Sequence, residues 1–257
     1  MNNKQDLVQI YVATHSYECK FIDKNRVSIQ VGAVNNTKKI ADIQDNSLEN
    51  ISKKNKTYCE LTALYWIWKN SNYRVVGLEH YRRQFDSANM DLKEVLKKNE
   101  VIIPEPYYYR TSIEKEYKRN HISVDWDCMV KGIEKLYPEY LKSIERVFKE
   151  SNKIYPYNMF IAEYKFVDEY CTWLFPLLEY IENRVSDIER DNYQKRFIGF
   201  LSERLFTLYI EHNRKKYIIC KVKSPDKENI IKKLKYRIVL LRNKLYYSLS
   251  KKYFGGN

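Results

Sequence analysis

With 257 residues, the chain is long enough for one domain with a full hydrophobic core. Aromatic residues make up 15% of it, with 24 tyrosines, which argues against disorder, and six glycines leave little room for Gly-rich nucleotide loops. Neither G-x-G-x-x-G nor G-x-x-x-x-G-K-[ST] occurs, so neither a Rossmann dehydrogenase nor a P-loop NTPase is expected. The formal net charge of +13 suits an anionic partner: nucleic acid, a nucleotide or an anionic membrane face.

The first strand is predicted over residues 7–14, with His15 at its end. The polar residues before it lead straight into the strand, so no signal peptide is expected. No apolar run reaches the roughly 18–20 residues of a membrane span. Residues 23–56 are polar and weakly periodic and read as a long loop, which inside a compact domain is usually functional or disordered. A helix follows over 57–69, where Leu61, Leu64, Tyr65 and Trp68 keep the spacing of one buried face. The next strand, 74–78, runs into the tetrad His80-Tyr81-Arg82-Arg83. A helix over 90–98 and a strand over 100–104 complete a βαβ alternation, which implies a mostly parallel sheet flanked by helices. Pro104 and Pro106 end that strand and open a tyrosine-rich loop at 107–110.

Helices are then expected over 112–120, 125–136, 138–150, 165–184 and 192–211, with strands over 158–162 and 217–222. The chain closes in a basic helix, and residues 226–253 hold nine Lys or Arg against two acidic residues, a net +7. This reading divides the chain into a domain at 1–222 and a helical appendage at 223–257. Cys19, Cys59, Cys128, Cys171 and Cys220 are scattered and form no C-x-x-C, so buried free thiols in a reducing cytosol are expected, without zinc ribbon or disulfide framework.

Ligands of open α/β sheets bind beyond the carboxyl ends of strands, where the tetrad falls. Its two arginines are permanently charged, planar forks that suit a diphosphate; its histidine and tyrosine add a titratable group and a stacking surface. The bland alternative is a strand running into a solvated basic loop. His15 and His80 each follow a strand and fit one cleft. Asp125-Trp126-Asp127 is a D-x-D that either shares a divalent cation against a diphosphate or caps a helix N-terminus. Asn158 either bonds a sugar or ribose hydroxyl or closes a turn. Glu203, in an apolar helix, either pairs with Arg204 or Arg196 or serves as a general base in a pocket, and Glu60 poses the same choice. His121 lies near the D-x-D, and His212 ends a helix, where a cation suits the dipole. On the tail, Ile230, Leu234, Ile238, Leu241, Leu245 and Leu249 form one stripe amid Lys and Arg, which suits an anionic membrane surface or docking on the core.

Several blocks resemble, in order, those of a bacterial polysaccharide-locus family catalogued as domain of unknown function 4422. They are Tyr58-Cys59-Glu60-Leu61-Thr62, the run 65–70 (Tyr-Trp-Ile-Trp-Lys-Asn), Gly77-Leu78-Glu79-His80-Tyr81-Arg82-Arg83, Asn158-Met159-Phe160, and 200–205 (Phe-Leu-Ser-Glu-Arg-Leu). The resemblance runs from about residue 9 to 209 and leaves out the basic tail. It implies an α/β, GT-A-like glycosyltransferase fold with a Rossmann-like, mostly parallel central sheet. It also implies transfer of a sugar, galactofuranose among the candidates, from a UDP-sugar donor to a lipid-linked or oligosaccharide acceptor in capsule, exopolysaccharide or O-antigen synthesis. On this reading Ala13, Thr14, His15, His80, Tyr81, Arg82, Arg83 and Asn158 bind the donor. Glu203 is the first choice of base and Asp127 the second, with His80 also in the catalytic set. GT-A enzymes carry their metal-binding D-x-D after a central strand, where this chain has Glu79-His80-Tyr81-Arg82-Arg83. Metal-independent chemistry is therefore expected, with Asp125 and Asp127 as the pair for Mn²⁺ or Mg²⁺ if a metal is used. The enzyme would sit on the cytoplasmic face of the bacterial plasma membrane through its basic helix, with no nucleic-acid partner. The reading from a different class is a non-catalytic glycan- or nucleotide-binding module of a polysaccharide assembly complex.

Overall fold

The computed structural model describes residues 5–15, 20–21, 23–224 and 230–254. Its backbone forms two compact units, neither of them a continuous stretch of chain. The first gathers Met1–Glu105, Tyr157–Leu174 and Lys215–Asp226; the second gathers Pro106–Pro156, Phe175–Arg214 and Lys227–Asn257.

The strands in chain order are β1 (Gln5–Thr14), β2 (Arg26–Gln30), β3 (Ile43–Gln44), β4 (Tyr73–His80), β5 (Gln84–Phe85) and β6 (Val101–Pro104). They continue with β7 (Tyr107–Tyr108), β8 (Lys153–Ile154), β9 (Phe160–Glu163), β10 (Tyr217–Cys220) and β11 (Val222–Lys223). The first unit is built on a seven-stranded sheet in the order β10-β6-β9-β4-β1-β2-β3. All its neighbours pair in parallel except β9, which runs antiparallel to both β4 and β6. The mostly parallel α/β sheet expected from the sequence is therefore present. Its central strands are apolar on both faces, as a sheet covered on both sides demands. Ile10, Val12, Val76, Leu78, Ile102 and Ile161 have no exposed surface.

The reversal of β9 has a consequence for function. Because Phe160 pairs with Leu78, the residues just before β9 lie beside the carboxyl end of β4. Tyr157 and Asn158 are thereby delivered to the edge where parallel strands present ligand-binding groups.

The stretch 23–56, expected to be a loop, contains the inner strand β2 and the short β3. Sequence periodicity hid β2 because its buried side chains include Arg26, Ser28 and Gln30. Each has a dedicated partner: Glu79 for Arg26, Asp42 for Ser28 Oγ, and the Lys38 carbonyl for Gln30. The turns after β2 close on Asp45, whose fully buried carboxylate accepts from the amides of Gly32 and Ala33 and the hydroxyls of Ser52 and Thr62. The helix expected over 57–69 breaks at Cys59, which adopts φ 52°, leaving a helical turn at Asn55–Tyr58 and a helix at Leu61–Asn70. Burial on that helix extends beyond the expected stripe. Leu61 and Leu64 are buried as expected, Trp66 and Ile67 are buried too, and Trp68 instead turns its indole N–H to Asp168.

The second unit is largely helical, with helices Ile113–Asn120, Ser123–Leu136 and Phe197–His212 and the hairpin-like pair β7–β8. The segment 138–150 is a succession of short turns, 3₁₀ at Pro138–Tyr140, α at Leu141–Ile144 and π at Glu145–Lys149. The C-terminal helix Ile230–Phe254 belongs to this unit. Cys128, Cys171 and Cys220 are buried free thiols and Cys59 is half-buried; Cys19 lies outside the described residues.

Gly77 is where the centre of the sheet is tightest. A Cβ there would stand 2.9 Å from Ile161 Cγ1, 3.1 Å from the Phe160 carbonyl and 3.3 Å from Ile10 Cγ1. Gly77→Ala is expected to lower stability by about 1–3 kcal/mol. An unchanged urea midpoint would show that β4 and β9 can move apart at no cost.

Candidate active site

In the first unit, the carboxyl ends of β1 and β4 lie side by side, with Ala13 paired to His80. Beyond them the tetrad folds into a tight turn, closed by two backbone bonds between His80 and Arg83 at 3.0 and 2.9 Å. The Tyr81 amide donates to the Ala13 carbonyl at 3.0 Å, which ties the turn to β1. The ring of exposed His15 meets that of Tyr81 edge-on at 4.9 Å, and the Tyr81 hydroxyl lies 3.2 Å from His15 Nε2. Thr14, one residue earlier, is fully buried. The structure thus brings together Ala13, Thr14, His15, His80, Tyr81, Arg82 and Arg83.

A buried ion pair supports this turn from below. Glu79 and Arg26 both have fully buried side chains, and the guanidinium reaches the carboxylate through Nε at 2.8 Å and Nη2 at 2.9 Å. Glu79 also accepts the Phe85 amide at 2.9 Å, while Arg26 donates to the Phe85 carbonyl at 2.8 Å and Ser87 Oγ at 3.2 Å. Asp23 takes a further bond from Arg26. Burial works against the charge on Arg26, but Glu79 and Asp23 more than offset it and hold its pKa above the ordinary value. Glu79 therefore faces inward, away from any ligand. The sequence marks it by placing one charge inside an apolar strand; its partner was hidden in the presumed loop.

Arg82 and Arg83 are exposed. Their guanidinium groups lie over aromatic rings, Arg82 4.9 Å from the centroid of Tyr81 and Arg83 4.3 Å from that of Tyr157. Neither forms an ion pair with a carboxylate of the described residues. Two cations oriented by stacking, with no carboxylate partner among the described residues, are fitted to bind an oxyanion bidentately.

Asn158 joins the same edge. It is buried, in the left-handed region at φ 51°, and donates from Nδ2 to Glu60 Oε1 at 2.6 Å. Tyr157, also left-handed at φ 76°, has its carbonyl oxygen 2.7 Å from His80 Nε2. Glu60 stands out in the sequence as a carboxylate embedded in an apolar helix, but no spacing links it to Asn158. The contribution of Tyr157 comes from its backbone, and no side-chain pattern could reveal it.

The remaining sequence candidates lie in the second unit. Asp125 is fully buried and held by both terminal nitrogens of Arg190, at 2.7 and 2.5 Å. It lies in the first turn of its helix but makes no capping bond, so an ion pair takes the place of the expected cap. Asp127 is half-exposed and pairs with Lys118 at 2.8 Å. The two carboxylates thus point to different surroundings, and among the described residues no group of three or more metal-ligating side chains converges. Glu203 pairs with Arg204 at 3.0 Å, and Arg204 also donates to Tyr109 Oη at 2.7 Å. His212 lies against the Tyr140 ring at 3.6 Å, with Ser143 Oγ 2.9 Å from Nδ1. Burial lowers its pKa, with Glu139 acting in the opposite sense. A charged cleft lined by Lys98, Glu100, Glu163, Glu169 and Lys216 sits at the opposite, amino-terminal edge of the parallel strands, away from the arginine turn.

Residues 9–214 match the family described as domain of unknown function (DUF4422), and the chain belongs to it. Among solved structures, the chain is similar to the WbbM bifunctional glycosyltransferase in its apo form, with a TM-score of 0.79 and 25% sequence identity. The match covers 87% of this chain and 46% of that one, so the chain spans about half the length of that protein. The chain matches no curated protein sequence. The α/β architecture is accordingly that of a glycosyltransferase, as the family resemblance implied.

One titration in the second unit can be read out directly. His121 is packed against Tyr117, Tyr193 and Phe200, and burial, helped by nearby Arg204, pushes its pKa down to about 4. The unfolded chain then binds the extra proton first, so stability should fall as pH drops from about 6.5 towards 4. In His121→Gln this part of the pH dependence of Tm should flatten; an unchanged slope would assign it to other groups.

Proposed function

We propose that the protein moves a sugar, galactofuranose by the family resemblance, from a UDP-sugar to a lipid-linked or oligosaccharide acceptor during synthesis of a bacterial surface polysaccharide. The observation that carries this reading is the exposed Arg82–Arg83 turn at the carboxyl ends of β1 and β4. Preorganised cations there would meet the charge that grows on the leaving diphosphate, an effect worth several kcal/mol of barrier. Ala13, Thr14, His15 and Tyr81 would bound the nucleotide, and Asn158 would face donor or acceptor hydroxyls. Transfer with inversion also needs a proton acceptor, and Glu203, Asp127 and His80 are the candidates. The arginines would do the work of a cation; Mn²⁺ or Mg²⁺ on Asp125 and Asp127 would require breaking the Arg190 and Lys118 pairs.

Association with the cytoplasmic face of the plasma membrane is part of the proposal and rests on helix Ile230–Phe254. Leu234, Ile238, Leu241, Leu245 and Leu249 are each more than half exposed. At 3.6 residues per turn they fall within about 80° of arc. Asn243, buried and bonded to the Tyr108 carbonyl at 3.0 Å, lies on the opposite face. Lys235 and Arg242 flank the stripe on one side and Arg237 and Lys244 on the other, and the helix contains no acidic residue. Apolar residues between two rows of cations suit an anionic lipid surface, whereas pairing with a second copy would set like charges against each other. The side chain of Ile230 lies outside those described, and no helix among the described residues is long and apolar enough to cross a membrane.

Calorimetric titration with UDP tests the donor site. Micromolar binding that survives EDTA is expected, and replacing Arg82 and Arg83 together by alanine should weaken it at least about tenfold. Binding only with Mn²⁺ would shift the weight to Asp125 and Asp127, and no nucleotide binding at all would favour a glycan-binding module. For the helix, co-sedimentation with phosphatidylglycerol vesicles should be lost in Leu241→Glu/Leu245→Glu and absent with phosphatidylcholine. A wild-type protein that never sediments with either would end the membrane part of the proposal.

A further inference from the structure

His80 is oriented by a bond whose direction chemistry fixes. A carbonyl oxygen can only accept, so the 2.7 Å contact between His80 Nε2 and the Tyr157 carbonyl assigns the proton of the neutral ring to Nε2. Nδ1 is then the bare nitrogen, and among the described residues no hydrogen bond or ring contact engages it. A half-buried imidazole anchored through one nitrogen, with a lone pair on the other, is arranged to take a proton.

The carbonyl that anchors it is held by an unusual backbone. Tyr157 and Asn158 are consecutive non-glycine residues at φ 76° and 51°. Left-handed conformations of this kind cost about 1 kcal/mol or more each and persist only where the surroundings impose them. Among the contacts that hold this segment is the 2.6 Å bond from buried Asn158 Nδ2 to Glu60 Oε1. Glu60 directly follows a third residue of positive φ, Cys59 at 52°. Three of the five non-glycine residues with positive φ among those described thus serve one hydrogen bond and the carbonyl beside it. Arg83, stacked over the Tyr157 ring at 4.3 Å, adds a further contact between this segment and the turn.

We infer that His80 is the proton acceptor of the transfer, with Nδ1 as the reacting atom, and that Tyr157, Asn158 and Glu60 are positioning residues that fix its tautomer. The inference rests on the glycosyltransferase reading above. In the step it implies, the acceptor hydroxyl gives its proton to Nδ1 as its oxygen bonds to the anomeric carbon. The bond from that carbon to the diphosphate oxygen breaks, and UDP leaves with the electron pair. The imidazolium then returns its proton to water. No oxidant, reductant or further reactant is needed.

The tautomer is directly measurable in the free protein. Long-range ¹H–¹⁵N spectra of the full chain, with the His80 signals identified by their loss in His80→Gln, should show a protonated Nε2 and a bare Nδ1. The opposite tautomer would overturn the assignment. Glu60→Ala should mix the two tautomers, whereas Glu60→Gln, which keeps an acceptor oxygen for Asn158, should restore the wild-type pattern. Equal damage from both substitutions would remove the positioning role. His80→Gln should slow UDP release from the UDP-sugar that the wild type turns over by about 100-fold or more, with a much smaller loss of UDP affinity. A large loss of UDP affinity would instead make His80 a diphosphate ligand. A wild type that binds no UDP while showing the expected tautomer would reject the transferase reading and leave the geometry standing.

Discussion

Everything proposed for the first unit hangs on the ion pair between Glu79 and Arg26. It joins the start of β2, the end of β4 and the strand that returns after the turn, all through groups removed from water. Such a pair contributes little net stability compared with apolar packing, but deleting one partner strands a buried charge at a cost of about 3–5 kcal/mol. Its value is geometric. The turn it braces is only four residues long, and both ends are anchored, Glu79 on one side and Phe85 on the other. Arg82 and Arg83 can therefore stand exposed without the turn collapsing.

This arrangement divides the charges near β4 into two kinds. Glu79 and Arg26 satisfy each other and are out of reach. Arg82 and Arg83 rest on aromatic rings, which orient a guanidinium without neutralising it. A site assembled this way has its positive charge fixed before the anion arrives, and preorganisation of that kind makes electrostatic catalysis effective. The segment leading into the antiparallel strand β9 adds a backbone carbonyl and a buried amide at the same edge, so the titratable group, the cations and the hydroxyl-binding candidate all converge on one end of the sheet.

Much of this was legible in the sequence where apolar residues carried the pattern. The strands around Val12, Val76 and Ile102, the helix over Leu61 and Leu64, and the position of the tetrad after β4 all follow from burial and spacing. The inner strand β2 was not legible because it buries an arginine, a serine and a glutamine, and polar residues announce a strand only once their partners are known. The reversed direction of β9 left no trace either, since a strand covered on both faces has the same composition in either sense. Asp125 and Asp127 offered a spacing that fits a metal, yet a buried partner for one and a solvated partner for the other separated them. Tyr157 acts through its backbone and lies beyond any reading of side chains, while Glu60 could be recognised as a buried-type carboxylate but not connected to a residue 98 positions away.

The most direct test of the account is a crystal structure of the protein grown with UDP. The diphosphate should lie beyond the carboxyl ends of β1 and β4, with its oxygens about 3 Å from the guanidinium nitrogens of Arg82 and Arg83. Nucleotide density at any other place, above all beside Asp125 and Asp127, with both arginines unengaged, would contradict it.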